Sequence, residues 1–174
     1  MKLDLRQDFE EIYSYLLRRV RTYDAVVNAQ QNPGDGDSPI TYIELGYECN
    51  QSGWVALVFD TRPDAEPDGE WTGYIDETIF ERPKWLKACG LLNADGAVEL
   101  VLPDGTIRTF ASDWDESEYR TVFGEMLKGV LLKARDEGVL KSLPLAEPCH
   151  IGVEDFDGAY GWPQYEDRGK NDLA

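Results

Sequence analysis

Histidine is all but missing from this chain of 174 residues, with His150 the single copy. Cysteine is scarce as well: Cys49, Cys89 and Cys149 are odd in number and form no C-x-x-C pair. That spacing offers neither a disulfide framework nor a zinc knuckle, so reduced thiols and no metal site are expected. Long apolar runs are also lacking, and none approaches the roughly 20 residues that cover a bilayer. The opening MKLDLRQDFEEIYSYLL carries carboxylates at helical spacing, where an export signal needs a basic start and an unbroken apolar run. No G-x-S-x-G, Walker loop, dinucleotide fingerprint or H-E-x-x-H occurs, which removes the familiar hydrolase, nucleotide and zinc-peptidase routes. These absences lead to the expectation of a cytoplasmic protein without cofactor or membrane association.

Positive charge is the other shortage. Lys and Arg number 17 against 34 Asp and Glu, a formal net charge of -17. The imbalance is local: residues 1–31 carry five of each sign, whereas residues 32–82 carry two basic and 12 acidic side chains. The segment after residue 153 is again acidic, with two against six. Such a surface repels phosphate backbones and anionic lipid headgroups and accelerates encounter with a basic partner. A basic protein, and not a nucleic acid, is therefore the expected partner.

The apolar pattern then supplies the elements. Leu5, Phe9, Ile12, Tyr13, Leu16, Val20 and Val27 recur at three- and four-residue steps, predicting a long N-terminal helix with Arg18, Arg19 and Arg21 largely solvated. The run 32–39 is too dense in Pro, Gly and Asp for periodic structure. Ile40 to Glu48 and Trp54 to Asp60 predict an antiparallel pair, with Ile43, Leu45 and Tyr47 facing away from Glu44 and Glu48. Residues 61–83 read as an acidic loop until Tyr74, and Pro83 opens a short helix that Gly90 ends. A second hairpin is expected around Pro103-Asp104-Gly105. A second long helix is expected near 115–137, capped between Ser112 and Ser117 and stopped by Gly138. A short strand from His150 to Phe156 and a frayed tail at 169–174 complete the chain. The fold class that follows is α+β: one domain over 1–174, with a central antiparallel sheet of four to six strands and packed helices.

Candidate sites come from chemistry. Cys149 and His150 are adjacent, but neighbours on a strand point to opposite faces, which argues against a nucleophile–base pair. Asp155-Phe156-Asp157-Gly158 looks like part of a calcium loop, yet Val153 would take the first ligand position and Gln164 the closing one, so a turn is expected. A carboxylate acid/base pair remains a rival, although 34 carboxylates give it no specific signal. The more pointed feature is that both acidic segments carry large rings. Asp68, Glu70, Trp71 and Tyr74 form one candidate partner-binding set, and Asp155, Asp157, Tyr160, Trp162 and Tyr165 the other. Carboxylates would steer and rings would anchor.

The order FEEIYSYLLRRV, YIELGYECNQSGWVALVFDTR and VEDFDGAYGWPQYEDRG resembles the small acidic immunity proteins of bacterial toxin systems. The likeness covers the layout of most of the chain and carries no residue-level motif. It implies a non-enzymatic antidote that blocks a toxin domain, often a nuclease with a basic cleft. The rivals are an enzyme using paired carboxylates and a structural subunit of a complex, the latter expected to expose a flat apolar patch.

Overall fold

The computed structural model describes residues 1–23, 39–61, 80–94, 96–111 and 116–163, together with the backbone of 74–75. A first short strand, β1 (Lys2–Asp4), runs directly into helix α1 (Leu5–Arg21). Asp4 caps that helix by accepting the Arg6 amide at 3.1 Å, and the Arg6 guanidinium beside it lowers the Asp4 carboxyl to about 2. Arg18, Arg19 and Arg21 occupy the last turn, where cations complement the helix dipole. Leu5, Ile12 and Leu16 are wholly buried, as their spacing requires. Val27 lies outside the described residues.

Strands β2 (Ile40–Glu48) and β3 (Trp54–Asp60) form the expected hairpin, paired from Tyr42 against Asp60 to Glu48 against Trp54. Gly53 takes a positive φ of 68° at the turn, and a Cβ there would strike the Arg82 carbonyl, so only glycine fits. Glu48 organises the same turn. Its buried carboxylate accepts the backbone amides of Asn50, Gln51 and Ser52 and the Ser52 hydroxyl. Burial alone would raise its pKa, but these donors outweigh burial and hold the group below the usual glutamate value.

Two short strands, β4 (Tyr74–Ile75) and β5 (Phe80–Glu81), pair with β3. Helix α2 (Pro83–Asn93) follows, with proline in its first turn. It does not stop at Gly90, because burial of Leu92 draws the chain through another turn, at a helix-propensity cost of about 1 kcal/mol for the exposed glycine. Strands β6 (Val98–Val101) and β7 (Ile107–Phe110) make the second hairpin, and helix α3 (Glu116–Asp136) ends as expected just before Gly138, at φ 70°. The capping candidates at 112–115 lie outside the described residues. After a 3-10 turn (Val139–Ser142), strand β8 (Leu145–Asp155) and the short β9 (Gly161–Trp162) close the described chain.

The α+β class and both long helices agree with the sequence reading. The sheet differs in two ways. The described residues form two sheets, a six-stranded one in the order β4-β3-β2-β8-β9 with β5 also on β3, and a three-stranded one in the order β1-β6-β7. Each is mixed rather than purely antiparallel, since β8 runs parallel to β2 and β6 parallel to β1. The pattern hid both pairings. β1 has only three residues, and Pro148, which can donate no ladder hydrogen bond, breaks the run of β8 where its register on β2 slips between Ile40 and Tyr42. Among the described residues the inner faces of the two sheets and helices α1, α2 and α3 share one core, in which Trp85, Tyr47, Tyr119, Phe59 and Phe123 are the largest fully buried side chains.

Candidate protein-binding face

Helix α3 divides two surfaces. On one flank lies the end of β8 and the turn into β9, which holds most of the second acidic-aromatic set. Asp155 is not a steering carboxylate: it is 1% exposed, and its Oδ2 accepts the Arg120 Nε of α3 at 2.6 Å. Its Oδ1 takes the Asp157 amide at 3.1 Å and its carbonyl takes the Gly158 amide at 2.8 Å, so both ends of the residue build the turn. The α3 backbone beneath is fixed by the Tyr47 hydroxyl, which donates to the Arg120 carbonyl at 2.7 Å. Asp157 reaches the surface, 3.6 Å from Arg120 Nη2 and within 3.2 Å of the Gln51 amide nitrogen.

The rings of this set lie against the helix. Tyr160 packs over Gly124, where any Cβ would meet the ring, and its hydroxyl donates to Glu125 at 2.8 Å. Burial first, and then the Glu125 carboxylate, push the Tyr160 phenol well above its ordinary value. Trp162 lies under Lys128, whose Nζ is 5.5 Å from the ring centroid. Both rings are half-buried and pin the segment around β9 to α3. Another half-buried pair, Trp54 and Phe156, stacks at 4.5 Å beside Asp157. Of the first predicted set, Asp68, Glu70 and Trp71 lie outside the described residues. Tyr74 is placed by its backbone alone, opposite Phe59. Tyr165 and Gln164 lie outside as well, as does the tail at 169–174.

On the other flank of α3 is a groove of about 300 Å³. Phe9 of α1 forms one wall, Leu102, Pro103, Asp104 and Arg108 of the second hairpin another, and α3 contributes Thr121, Val122, Glu125, Met126 and Gly129. The lining is mostly apolar and the charged groups stand at the rim. Asp104 is exposed and kept below the usual aspartate value by the Thr106 amide, at 2.8 Å. Arg108 pairs with Glu118 at 3.7 Å, and Lys128 with Glu125 at 3.4 Å. No protein-family model, curated protein or solved structure matches this chain. The site must therefore be judged on its own geometry.

The sequence reading missed this groove because Phe9, Val122 and Met126 fit the apolar faces of two helices, and nothing in their spacing shows that a gap is left between them. Gly129 was the available signal: a small residue in mid-helix, with Phe9 set so close that a Cβ would lie 3.2 Å from its ring. The remaining polar residues assemble in an equally non-local way. On the larger sheet, Tyr42 lies in register with Asp60 on one side and His150 on the other, and Glu44 follows on the same face. Glu44 and Asp60 are buried, so that face is not the open polar surface its alternation implied. Cys149 is buried and its thiol is pushed up to about 12 by that burial, while the adjacent His150 takes the opposite face. Among the described residues no group of three His, Cys, Asp or Glu side chains is arranged to hold a metal, and no helix is long and apolar enough to cross a membrane.

Proposed function

We propose that this chain is a non-enzymatic acidic module that binds a basic protein, in the manner of an immunity-type antidote. One observation carries the reading: the chain has half as many cations as carboxylates, and several of those cations are already paired within it. Arg120 is committed to Asp155, Arg82 to Asp8 and Glu11, Arg6 to Asp4, Lys128 to Glu125, Lys133 to Glu137 and Arg135 to Asp136. With twice as many carboxylates as cations, the surplus negative charge has no counterpart within the molecule. A partner of opposite sign supplies it, gaining encounter rate and selectivity from the field. The groove beside α3 adds the desolvated apolar surface from which such interfaces draw most of their energy.

An acid/base enzyme is less well supported. The two carboxylates of the groove, Asp104 and Glu125, are both exposed, and Asp104 is held ionised, whereas such catalysis needs two carboxyl groups whose environments drive their pKa values apart. Among the described residues the exposed large apolar side chains are Leu86 and Leu91 of α2, Met1 and Ile107, which are spread over three stretches of chain and favour no flat subunit interface.

The test is affinity capture on the immobilised chain, followed by stopped-flow association with the purified captured protein. The expected partner is basic, and its association rate falls steeply between about 50 and 500 mM salt, over which the Debye length shrinks severalfold. An acidic partner, or a rate indifferent to salt, overturns the reading.

A further inference from the structure

We infer that the groove between α1, the β6–β7 hairpin and α3 receives an apolar side chain of the partner that is flanked by lysine or arginine. This rests on the proposed function and adds to it where the partner docks and what chemistry it presents. The floor is set by Val122 and Met126, which are buried, and by Phe9, which is half-buried over Gly129. A volume of about 300 Å³ lies at the lower limit of a ligand pocket and suits one or two large side chains.

The rim decides the charge of what enters. Asp104, Arg108 and Glu125 stand at the mouth, with Glu118 3.7 Å from Arg108 and Lys128 3.4 Å from Glu125. Each cation faces a carboxylate, which leaves Asp104, whose carboxylate accepts from the amide and the side chain of Thr106, as the negative charge in excess at the mouth. Glu125 is held at the rim by the Tyr160 hydroxyl, which couples the groove to the ring packed on the other flank of α3. An entering apolar group flanked by acidic residues would meet like charge, and one flanked by basic residues would meet its complement.

Three fluorescein-labelled peptides test this against the intact chain by anisotropy: Arg-Lys-Leu-Phe-Lys-Arg, Arg-Lys-Gly-Gly-Lys-Arg and Glu-Asp-Leu-Phe-Asp-Glu. The first is expected to bind at least about tenfold tighter than either of the others, since it alone combines burial with complementary charge. Thr121→Trp, which fills the groove from a half-buried helix position, should remove that advantage and leave the weak, salt-sensitive binding of the glycine peptide unchanged. Glu125→Lys provides a second variant that leaves the groove open and should weaken both basic peptides. If the glycine peptide binds as well as the leucine-phenylalanine peptide and Thr121→Trp changes nothing, the groove is not the docking site, although the basic-partner reading stands. If the acidic peptide binds best, or no peptide binds with salt dependence, the inference and that reading fall together. A dimer in sedimentation that Thr121→Trp dissociates would assign the groove to a second copy and overturn the inference.

Discussion

The two flanks of α3 are built from similar materials and end in opposite conditions. On the β8–β9 flank, carboxylates and aromatic rings meet Arg120, Lys128 and Gly124, and are consumed: Asp155 disappears into an ion pair, Tyr160 settles on a glycine and Trp162 beneath a lysine. On the groove flank, Phe9, Val122 and Met126 line an open cleft, and the carboxylates of Asp104 and Glu125 stay exposed. The lesson is that charge and aromaticity along a sequence mark residues able to bind something, while the backbone decides whether the something is the chain itself. A free surface is what remains after internal complements have been used.

Breaking the closed flank should have the largest effect. Arg120→Ala leaves Asp155 charged, with no side-chain exposure and no cation, and should cost about 3–5 kcal/mol in urea unfolding. If the loss is under 1 kcal/mol, the flank is held by its rings and not by the ion pair. A comparable network joins α1 to α2, where the Asp8 carboxylate lies 2.8 Å from Arg82 Nε and accepts the Trp85 indole at 3.2 Å. Asp8→Ala should cost about 2–4 kcal/mol, because the Arg82 guanidinium loses one of its two carboxylates and the buried Trp85 N–H loses its acceptor. Burial raises the Asp8 carboxyl despite these donors, so its native form binds a proton more readily than its unfolded form. Asp8 itself therefore favours the fold more as pH falls toward its unfolded value, and Asp8→Asn, which keeps an acceptor for Trp85, should flatten that portion of the stability profile.

Glu48 has the opposite sign. Its folded pKa lies below the ordinary glutamate value of 4.5, so its contribution is complete above about pH 4.5 and is lost as pH falls through the folded value. Glu48→Gln should cost about 2 kcal/mol at neutral pH and make acid unfolding shallower, as followed by circular dichroism across a pH series. A smaller effect is expected where the two flanks are divided. Gly124→Val displaces the Tyr160 ring at a cost of about 1–2 kcal/mol, partly offset by better helix propensity, and frees the phenol to titrate nearer its ordinary value. On the open flank, Thr121→Trp should shift stability by no more than about 0.5 kcal/mol, which is what distinguishes an unfilled surface from a packed one.

Local pattern carried far in this chain. The period of Leu5, Ile12 and Leu16 placed α1, the alternation of Ile43, Leu45 and Tyr47 placed the inner face of β2, and Gly53 and Gly138 stand at positive φ where a turn and a helix end were read. Each of these depends on neighbours within a few residues. The parallel pairing of β8 with β2, which brings His150 beside Tyr42, depends on residues more than 100 positions apart, and the ion pair of Arg82 with Asp8 on residues 74 apart. No hydrophobic period encodes such pairings.

By itself, the sequence determined the sign of the surface, the two long helices, both hairpins and the α+β class, because composition and short-range periodicity act on each segment separately. Only the tertiary structure decided which carboxylates are spent and which stay exposed, and that a groove remains beside α3. Burial is a property of what packs against a residue, and for Asp155 and for Phe9 the deciding partners lie on other elements, brought close by the fold alone.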